Sequence, residues 1–387
     1  MSRRHTAVPA ALALSLGLLA AAYGPSSSMA AAAAPSPARL TATSAPGGPL
    51  GPAYDTKTAT SVSLSGAGAN SINPFFEKVF YEYHQKNSNT TITYSPAGSS
   101  VGISDIEQGT VDFGDTEIPM AAKDLAKTPR TVVQVPVDLG GVAISYNIPG
   151  VASGLKLDGP TLAAIFAGTI TNWDSPQIAK VSGVSNLPNL AIVPVHRADS
   201  SGPGWDLDAY LIKTAPAWVT KVGTKPSKTW PLASVGVGEQ LNSGVATYLS
   251  QTRGAIGFVE YGYALEAKFT NAALENKAGA FVAPSLSSIA QAGSQATGLS
   301  ASEFSIIDEP AAGAYPLANF SWTLLYQKNP NEAKGIALGK LFDWVVTTGQ
   351  QYASSLGYAP LPADVAALAT QRLEDLQTPE GGPLFSK

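Results

Sequence analysis

Cysteine is missing from all 387 residues. Disulfides, thiolate metal sites, cysteine nucleophiles and the lipid-bearing cysteine of a bacterial lipoprotein are excluded with it. Histidine is nearly as scarce. His5, His84 and His196 are the whole complement, so a histidine-rich metal site is not expected, and no metal or cofactor is assigned. Charge is thin as well, at 13% of residues with a formal net charge of -4. No run of Lys and Arg builds the field that nucleic acid requires. An anionic ligand would have to be caught by local geometry instead of long-range attraction. Neither a Gly-x-Ser-x-Gly nucleophile elbow nor a P-loop occurs, so no motif encodes serine-hydrolase or nucleotide chemistry.

What is present suits a globular chain long enough for two domains, with 44% hydrophobic residues. Arg3 and Arg4 precede an almost wholly apolar stretch from Ala7 to Tyr23, and Ser28-Met29-Ala30 offers a small-x-small cleavage site. This is the pattern of a secretory leader over 1–30, expected to be cleaved after Ala30. Its apolar part, roughly 17 residues, falls short of the roughly 20 that span a bilayer comfortably. The alternative is an uncleaved anchor tethered by the Ala/Pro/Gly/Ser stretch that follows. Residues 31–57 read as a linker, and 379–387 as a flexible tail. Placement in the periplasm or cell envelope, without a lipid anchor, follows.

Beyond Tyr54, short β-rich runs alternate with amphipathic helices. Val62-Ser63-Leu64 predicts a strand running into Gly66-Ala67-Gly68, and Phe76, Val79, Phe80 and Tyr83 recur at helical spacing after Pro74. Further strands are expected at Ile92–Tyr94, Val111–Phe113, Ile192–Val195, Ala255–Tyr261 and Phe320–Tyr326. Val132–Val137 and Val142–Ile148 read as two runs separated by Gly140-Gly141. Short helices follow through Ile103 and Ile106, and behind the cap Asp158. The last 60 or so residues are expected to be largely helical, with Leu341, Val345 and Tyr352 facing inward. This alternation implies α/β layers around a largely parallel sheet. Trp173, Trp230, Trp322 and Trp344 read as packing residues, His84 as a solvated surface residue, and His196 as structural.

Three loops share one design, in which a strand ends in Gly, Ser or Asn and a helix begins at once: Gly66-Ala67-Gly68-Ala69-Asn70-Ser71, Gly98-Ser99-Ser100 and Ser200-Ser201-Gly202. Each offers unpaired N–H groups and a hydroxyl or amide at the positive end of a helix. One such loop is ordinarily only a helix cap. Three together point to an anion. Arg197 adds a full charge beside one loop, and Asp199, two residues on, either holds that guanidinium in place or forms a plain surface ion pair with it.

Those loops belong to a longer set of ordered motifs. Gly66-Ala67-Gly68-Ala69, Gly98-Ser99-Ser100, Val111-Asp112-Phe113-Gly114, Gly168-Thr169-Ile170-Thr171-Asn172-Trp173, Arg197-Ala198-Asp199-x-Ser201-Gly202, Gly254–Tyr261 and Leu356–Pro362 resemble, in order, motifs of the phosphate-binding proteins of bacterial phosphate ABC transporters. The resemblance runs from about Ser61 to Leu373. It implies a two-lobe periplasmic-binding-protein fold of type II, with 58–137 plus 312–378 as one lobe and 138–311 as the other. It also implies a ligand clamped between the lobes by Asn70, Ser71, Ser99, Glu117, Arg197, Ser201 and Gly202, with Asp199 supporting Arg197. The implied partners are inorganic phosphate and the permease and ATPase subunits of a transporter. The chain is expected to be a monomer and not an enzyme.

Three positions depart from the family's pattern. Glu117 stands where the family has Asp, Asn70 where it has Thr, and Pro203 where it has a Thr that supplies both a hydroxyl and an N–H. An acid facing an anion is repulsive unless the anion carries a proton, as HPO₄²⁻ and H₂PO₄⁻ do and sulfate does not. The departures keep two other readings open: a binder of another oxyanion, and a phosphate-ester hydrolase using Ser99 or Ser201 with His196 or Glu117 as base.

Overall fold

The computed structural model describes residues 51–52, 61–300 and 304–386. The expected leader lies outside the described residues, as does the linker apart from Gly51 and Pro52. Eight strands form the spine: β1 Val62–Gly68, β2 Thr90–Ser95, β3 Phe113–Thr116, β4 Val132–Tyr146, β5 Val193–Arg197, β6 Val237–Glu239, β7 Ala255–Glu260 and β8 Ala318–Tyr326. They line up in the order β2-β1-β3-β8-β4-β7-β5-β6, and Thr270–Asn271 pairs with β4 beside this path.

The chain is therefore mixed α/β, as expected, but the sheet is not simply parallel. Pairing is parallel at the two ends, between β1 and its neighbours β2 and β3, and between β5 and its neighbours β6 and β7. It turns antiparallel at the centre, where β8 lies between β3 and β4, and β4 beside β7. The cause is β4, fifteen residues long. Its first part, through Gly141, pairs with β8, and from Val142 onward it pairs with β7. One strand thus joins the two halves of the sheet. The register between β8 and β4 skips Val137, a bulge between Ser321 and Trp322.

The break expected at Gly140-Gly141 does not occur. A Cβ on Gly140 would lie 2.3 Å from Glu260 Oε1, and the Gly141 N–H donates to that same oxygen at 2.8 Å. These glycines admit a buried carboxyl against the strand and do not turn the chain. β3 begins two residues later than expected because the Asp112 carboxylate accepts the Ser65 N–H at 2.9 Å, a place in the ladder that the backbone would otherwise fill.

Helices start where capping chemistry allows. Asn73–Lys86 (α1) has Pro at its first turn, and its Phe75, Phe76, Val79, Phe80 and Tyr83 are buried. Ser99–Gln108 (α2) follows Gly98, and Gly159–Phe166 (α3) is capped by Asp158, whose Oδ1 accepts the Thr161 N–H at 2.8 Å. Gly202–Thr214 (α4), Leu241–Gln251 (α5), Glu332–Val346 (α6) and Ala363–Glu374 (α7) follow along the chain.

An aromatic cluster fixes the first lobe. Phe76 stacks on Phe80 at 4.6 Å, Phe113 meets Phe342 edge-on at 5.2 Å, and Tyr94 stacks on Phe113 at 6.0 Å. Gly66 leaves room for it, since a Cβ there would sit 2.1 Å from the Phe113 ring. Trp173, Trp230 and Trp322 are buried as expected, whereas Trp344 and Tyr352 are half-buried. His84 is not merely solvated, because its Nδ1 is 2.8 Å from the Thr90 carbonyl oxygen. The tail is not loose either. Leu384 and Phe385 are buried, a Cβ on Gly339 would strike the Phe385 ring at 2.2 Å, and Phe385–Ser386 pairs with Gly51–Pro52. Two large apolar side chains near the end explain this, since their burial outweighs the cost of ordering a short segment.

Replacing Phe113 by Ala should destabilise the protein by about 3–5 kcal/mol through the cavity left among four other rings, read as a lowered urea midpoint with an unchanged slope.

Candidate functional site

The site lies where the two ends of the sheet face each other across β4 and β8. From one half of the sheet come the turn after β1, the start of α2 and the segment after β3. From the other half come the loop between β5 and α4 and the start of α5. Contacts between these segments bring the expected residues to one place. Gly98, at φ 111°, lets α2 approach the opposite loop so closely that a Cβ there would be 2.6 Å from the Ser200 carbonyl oxygen. Ser100 Oγ meets Ser200 Oγ at 2.5 Å. Gly202 packs against Glu117: a Cβ there would lie 1.8 Å from Glu117 Oε2 and 2.5 Å from its Cβ.

Arg197 is the charge at the centre. Although it is 2% exposed, its Nε donates to Asp199 Oδ1 at 2.8 Å and its Nη2 to Asp199 Oδ2. The pair is bidentate, and Asp199 itself is only partly buried. Burial opposes the charge on Asp199, but the Arg197 guanidinium holds its carboxyl below the usual range. Arg197 Nη1 is buried without a partner.

The hydroxyls are arranged as donors. Ser201 caps α4, its Oγ accepting the Gly204 N–H at 3.1 Å. Ser99 Oγ accepts the Glu117 N–H at 3.4 Å. With the oxygen of each already accepting, the hydroxyl hydrogen is left to give. Ser71 Oγ is buried with no partner in hydrogen-bond geometry, though it is close enough to the Glu117 carboxyl to favour its charged form. Asn70 Oδ1 accepts from both the backbone N–H and the Nδ2 of Asn242, at 2.9 and 3.2 Å. Its own amide hydrogens remain the groups it can offer. Pro203 occupies the first turn of α4, where a helix leaves N–H groups unpaired anyway, so the helix loses nothing by it while a ligand would lose a donor.

Around this arrangement lies a group of buried carboxyls that the motif reading passed over. Besides Glu117 it includes Asp115, Asp138, Asp206 and Glu260, each less than 5% exposed. Burial pushes Glu117 up to about 7, against the pull of the Ser71 hydroxyl and the Arg197 charge. Burial likewise pushes Asp115 up to about 8, with the Ser321 and Thr323 hydroxyls opposing and the Glu117 charge adding. Asp138, Asp206 and Glu260 are raised well above their ordinary values, again chiefly by burial and then by neighbouring carboxylates. Despite these acids, no three His, Asp or Glu side chains among the described residues are arranged to hold a metal ion.

Asn242, Asn319 and Asp206 were also invisible to the motif reading. Asn242 had one signal, its place at the start of a helix after a Gly-rich strand. Asp138 had another, since it interrupts an otherwise apolar run. His196 is buried, with its ring stacked on Trp230 at 6.1 Å and its Nδ1 3.1 Å from the Arg197 carbonyl oxygen, which is the structural role expected of it.

The raised acids carry a pH signature. Between the ordinary carboxylate range of about 4 and a folded value of about 8, native Asp115 keeps a proton that the unfolded chain releases. Stability therefore falls as pH rises across that window. Asp115→Asn should flatten the fall without abolishing it, because four other acids are raised too. Urea midpoints at pH 5 and pH 8 measure this, and equal slopes in wild type and variant would refute it.

The PBP superfamily domain profile matches residues 53–348. The chain is 37% identical to the phosphate-binding protein PstS of Xylella fastidiosa over 79% of its own length and 83% of that protein, and 36% identical to the PstS of Pasteurella multocida over 80% and 89%. The solved phosphate-binding protein from Stenotrophomonas maltophilia superposes with a TM-score of 0.63 at 16% identity, covering 80% of this chain and 93% of that one. That likeness shows the two-lobe type II fold. With a superfamily profile over most of its length and two relatives above one-third identity, the chain belongs to the PstS family of phosphate-binding proteins within the PBP superfamily.

Proposed function

We propose that this chain is an exported solute-binding protein that captures inorganic phosphate between its lobes and delivers it to an ABC permease driven by its ATPase. The observation that carries this reading is a pair of buried, unpartnered polar atoms in one site, Arg197 Nη1 and Glu117 Oε2. One can only donate. The other, when ionised, can only accept. An anion that is charged yet carries a proton satisfies both, and protonated phosphate is such an anion whereas sulfate is not.

The remaining contacts are assigned by the same logic. Ser99 and Ser201 donate through their hydroxyls, Asn70 through its amide, and Ser71 and Gly202 through backbone N–H groups at the turn after β1 and the start of α4. Asp199 holds Arg197 and does not touch the ligand. The lobes divide as 58–137 plus 312–378 and 138–311, and closure is a hinge motion near Val137 and Ala314. The bulge at Val137 supports the first of these positions. On the rim, Lys228 Nζ reaches Asp124 Oδ2 across the cleft at 3.0 Å, a contact suited to the closed state. The protein acts as a monomer, outside the cytoplasm after loss of its leader. No catalysis is assigned. Of the two bases a serine nucleophile could use, His196 has its Nδ1 at the Arg197 carbonyl and its ring against Trp230, and Glu117 has its Oε1 engaged by Asn319.

Titration calorimetry on the mature domain should show one phosphate bound per chain, with arsenate competing and sulfate binding far more weakly. Loss of any phosphate response below millimolar concentration would overturn the reading, and preferential binding of molybdate or sulfate would transfer it to another oxyanion. Arg197→Ala should weaken binding by roughly a hundredfold or more, the scale for breaking a buried charge pair. Gly202→Ala should also remove measurable binding, because the added methyl would occupy the space of the Glu117 side chain.

A further inference from the structure

Asn319 is 5% exposed and sits on β8 directly opposite Gly140 of β4, at the junction of the lobes. Its Nδ2 donates to two carboxyls of different origin, Asp206 Oδ2 on α4 at 2.8 Å and Glu117 Oε1 after β3 at 3.3 Å. An amide NH₂ has two hydrogens, and here both are committed to carboxyl oxygens. The other end of the amide is confined as well. A Cβ on Gly140 would lie 3.0 Å from Asn319 Oδ1, so the side chain packs against strand β4. One neutral group thus ties an acid of the first lobe to an acid of the second.

The consequence for Glu117 is directional. Its Oε1 is engaged by Asn319, whereas its Oε2 is buried without a partner and faces Gly202 at the start of α4. A free glutamate side chain would reach either oxygen toward a ligand and is one carbon–carbon bond longer than the aspartate of the family's pattern. A tether on one oxygen removes that freedom. We propose that Asn319 is a positioning residue for anion selection. It holds Glu117 so that Oε2 alone is presented to the proton of the bound oxyanion, and through Asp206 it makes that aim depend on the lobes being together. The inference rests on the phosphate reading and deepens it by assigning selectivity to a residue that need not contact the ligand.

The experiment compares phosphate and sulfate binding by calorimetry, together with phosphate dissociation by stopped flow, for the wild-type mature domain, Asn319→Ala and Asp206→Ala. Freed from its tether, Glu117 should discriminate less. Asn319→Ala is expected to bind phosphate about tenfold to a hundredfold more weakly, the scale of one hydrogen bond to a charged group. Its phosphate-to-sulfate preference should narrow by at least about tenfold. Asp206→Ala keeps the hold on Glu117 but releases the second lobe. It should retain the preference and lose phosphate several times faster. A merely structural asparagine would weaken both anions alike and leave their ratio intact, and that result overturns the proposal. Should Asn319→Ala fail to fold, an unchanged dissociation rate in Asp206→Ala overturns it instead. Wild-type protein that takes up no phosphate would refute the functional reading itself, and this inference with it.

Discussion

A guanidinium withdrawn from water must be satisfied along each of its edges, and the organisation of this site follows from how that is done at Arg197. Asp199 covers Nε and Nη2. The same carboxylate accepts the Leu241 N–H at 3.0 Å, and Leu241 is held at φ 60°, an unfavourable backbone for a residue of its size. That strained residue begins α5 and sets the next one, Asn242, against Asn70 of the opposite lobe and against the Glu260 N–H, which its Oδ1 accepts at 3.0 Å. A single ion pair therefore fixes a charge, a helix start and a bridge between lobes. The third edge of the guanidinium, at Nη1, is buried without a partner.

The acids around it set the second condition. Glu117, Asp115, Asp138, Asp206 and Glu260 are buried within range of one another's charge. Removing one charge from water costs several kcal/mol, and removing several of one sign costs more. Protonation lowers that cost, which is why burial drives each of them upward. The neutral carboxyls can then hold backbone and hydroxyl partners, as Asp138 holds the Ser321 N–H at 3.0 Å and Asp115 the Thr323 hydroxyl at 3.1 Å. The cleft is consequently an environment in which the location of a proton matters as much as the location of a charge.

Much of this was legible in the chain. Strands announced themselves through β-branched runs, and α1 through Phe76, Val79, Phe80 and Tyr83 at helical spacing. The loop residues Ser99, Ser201 and Gly202 stood out because a Gly/Ser turn before a helix is a local pattern, and a resemblance of ordered motifs supplied their roles. What escaped was whatever depends on distant partners. Gly140-Gly141 looks like a break until Glu260, over a hundred residues on, is seen to fill the space. The tail looked loose because Phe385 needs Gly339 to reveal its socket. Asn319 carries no local mark at all, since its meaning comes from residues 113 and 202 positions away. Asp112 shows the smaller error, where a side chain replaced a backbone link and moved a strand's start.

The unbroken passage of β4 through both halves of the sheet also says what kind of motion the molecule permits. Its neighbours change midway, from β8 to β7, so the lobes cannot slide apart without tearing a ladder. A hinge motion that keeps both ladders would have to twist the ribbon, as a torsion bar is twisted. The bulge at Val137 and the two glycines that follow it are the points where such a bar would bend most easily.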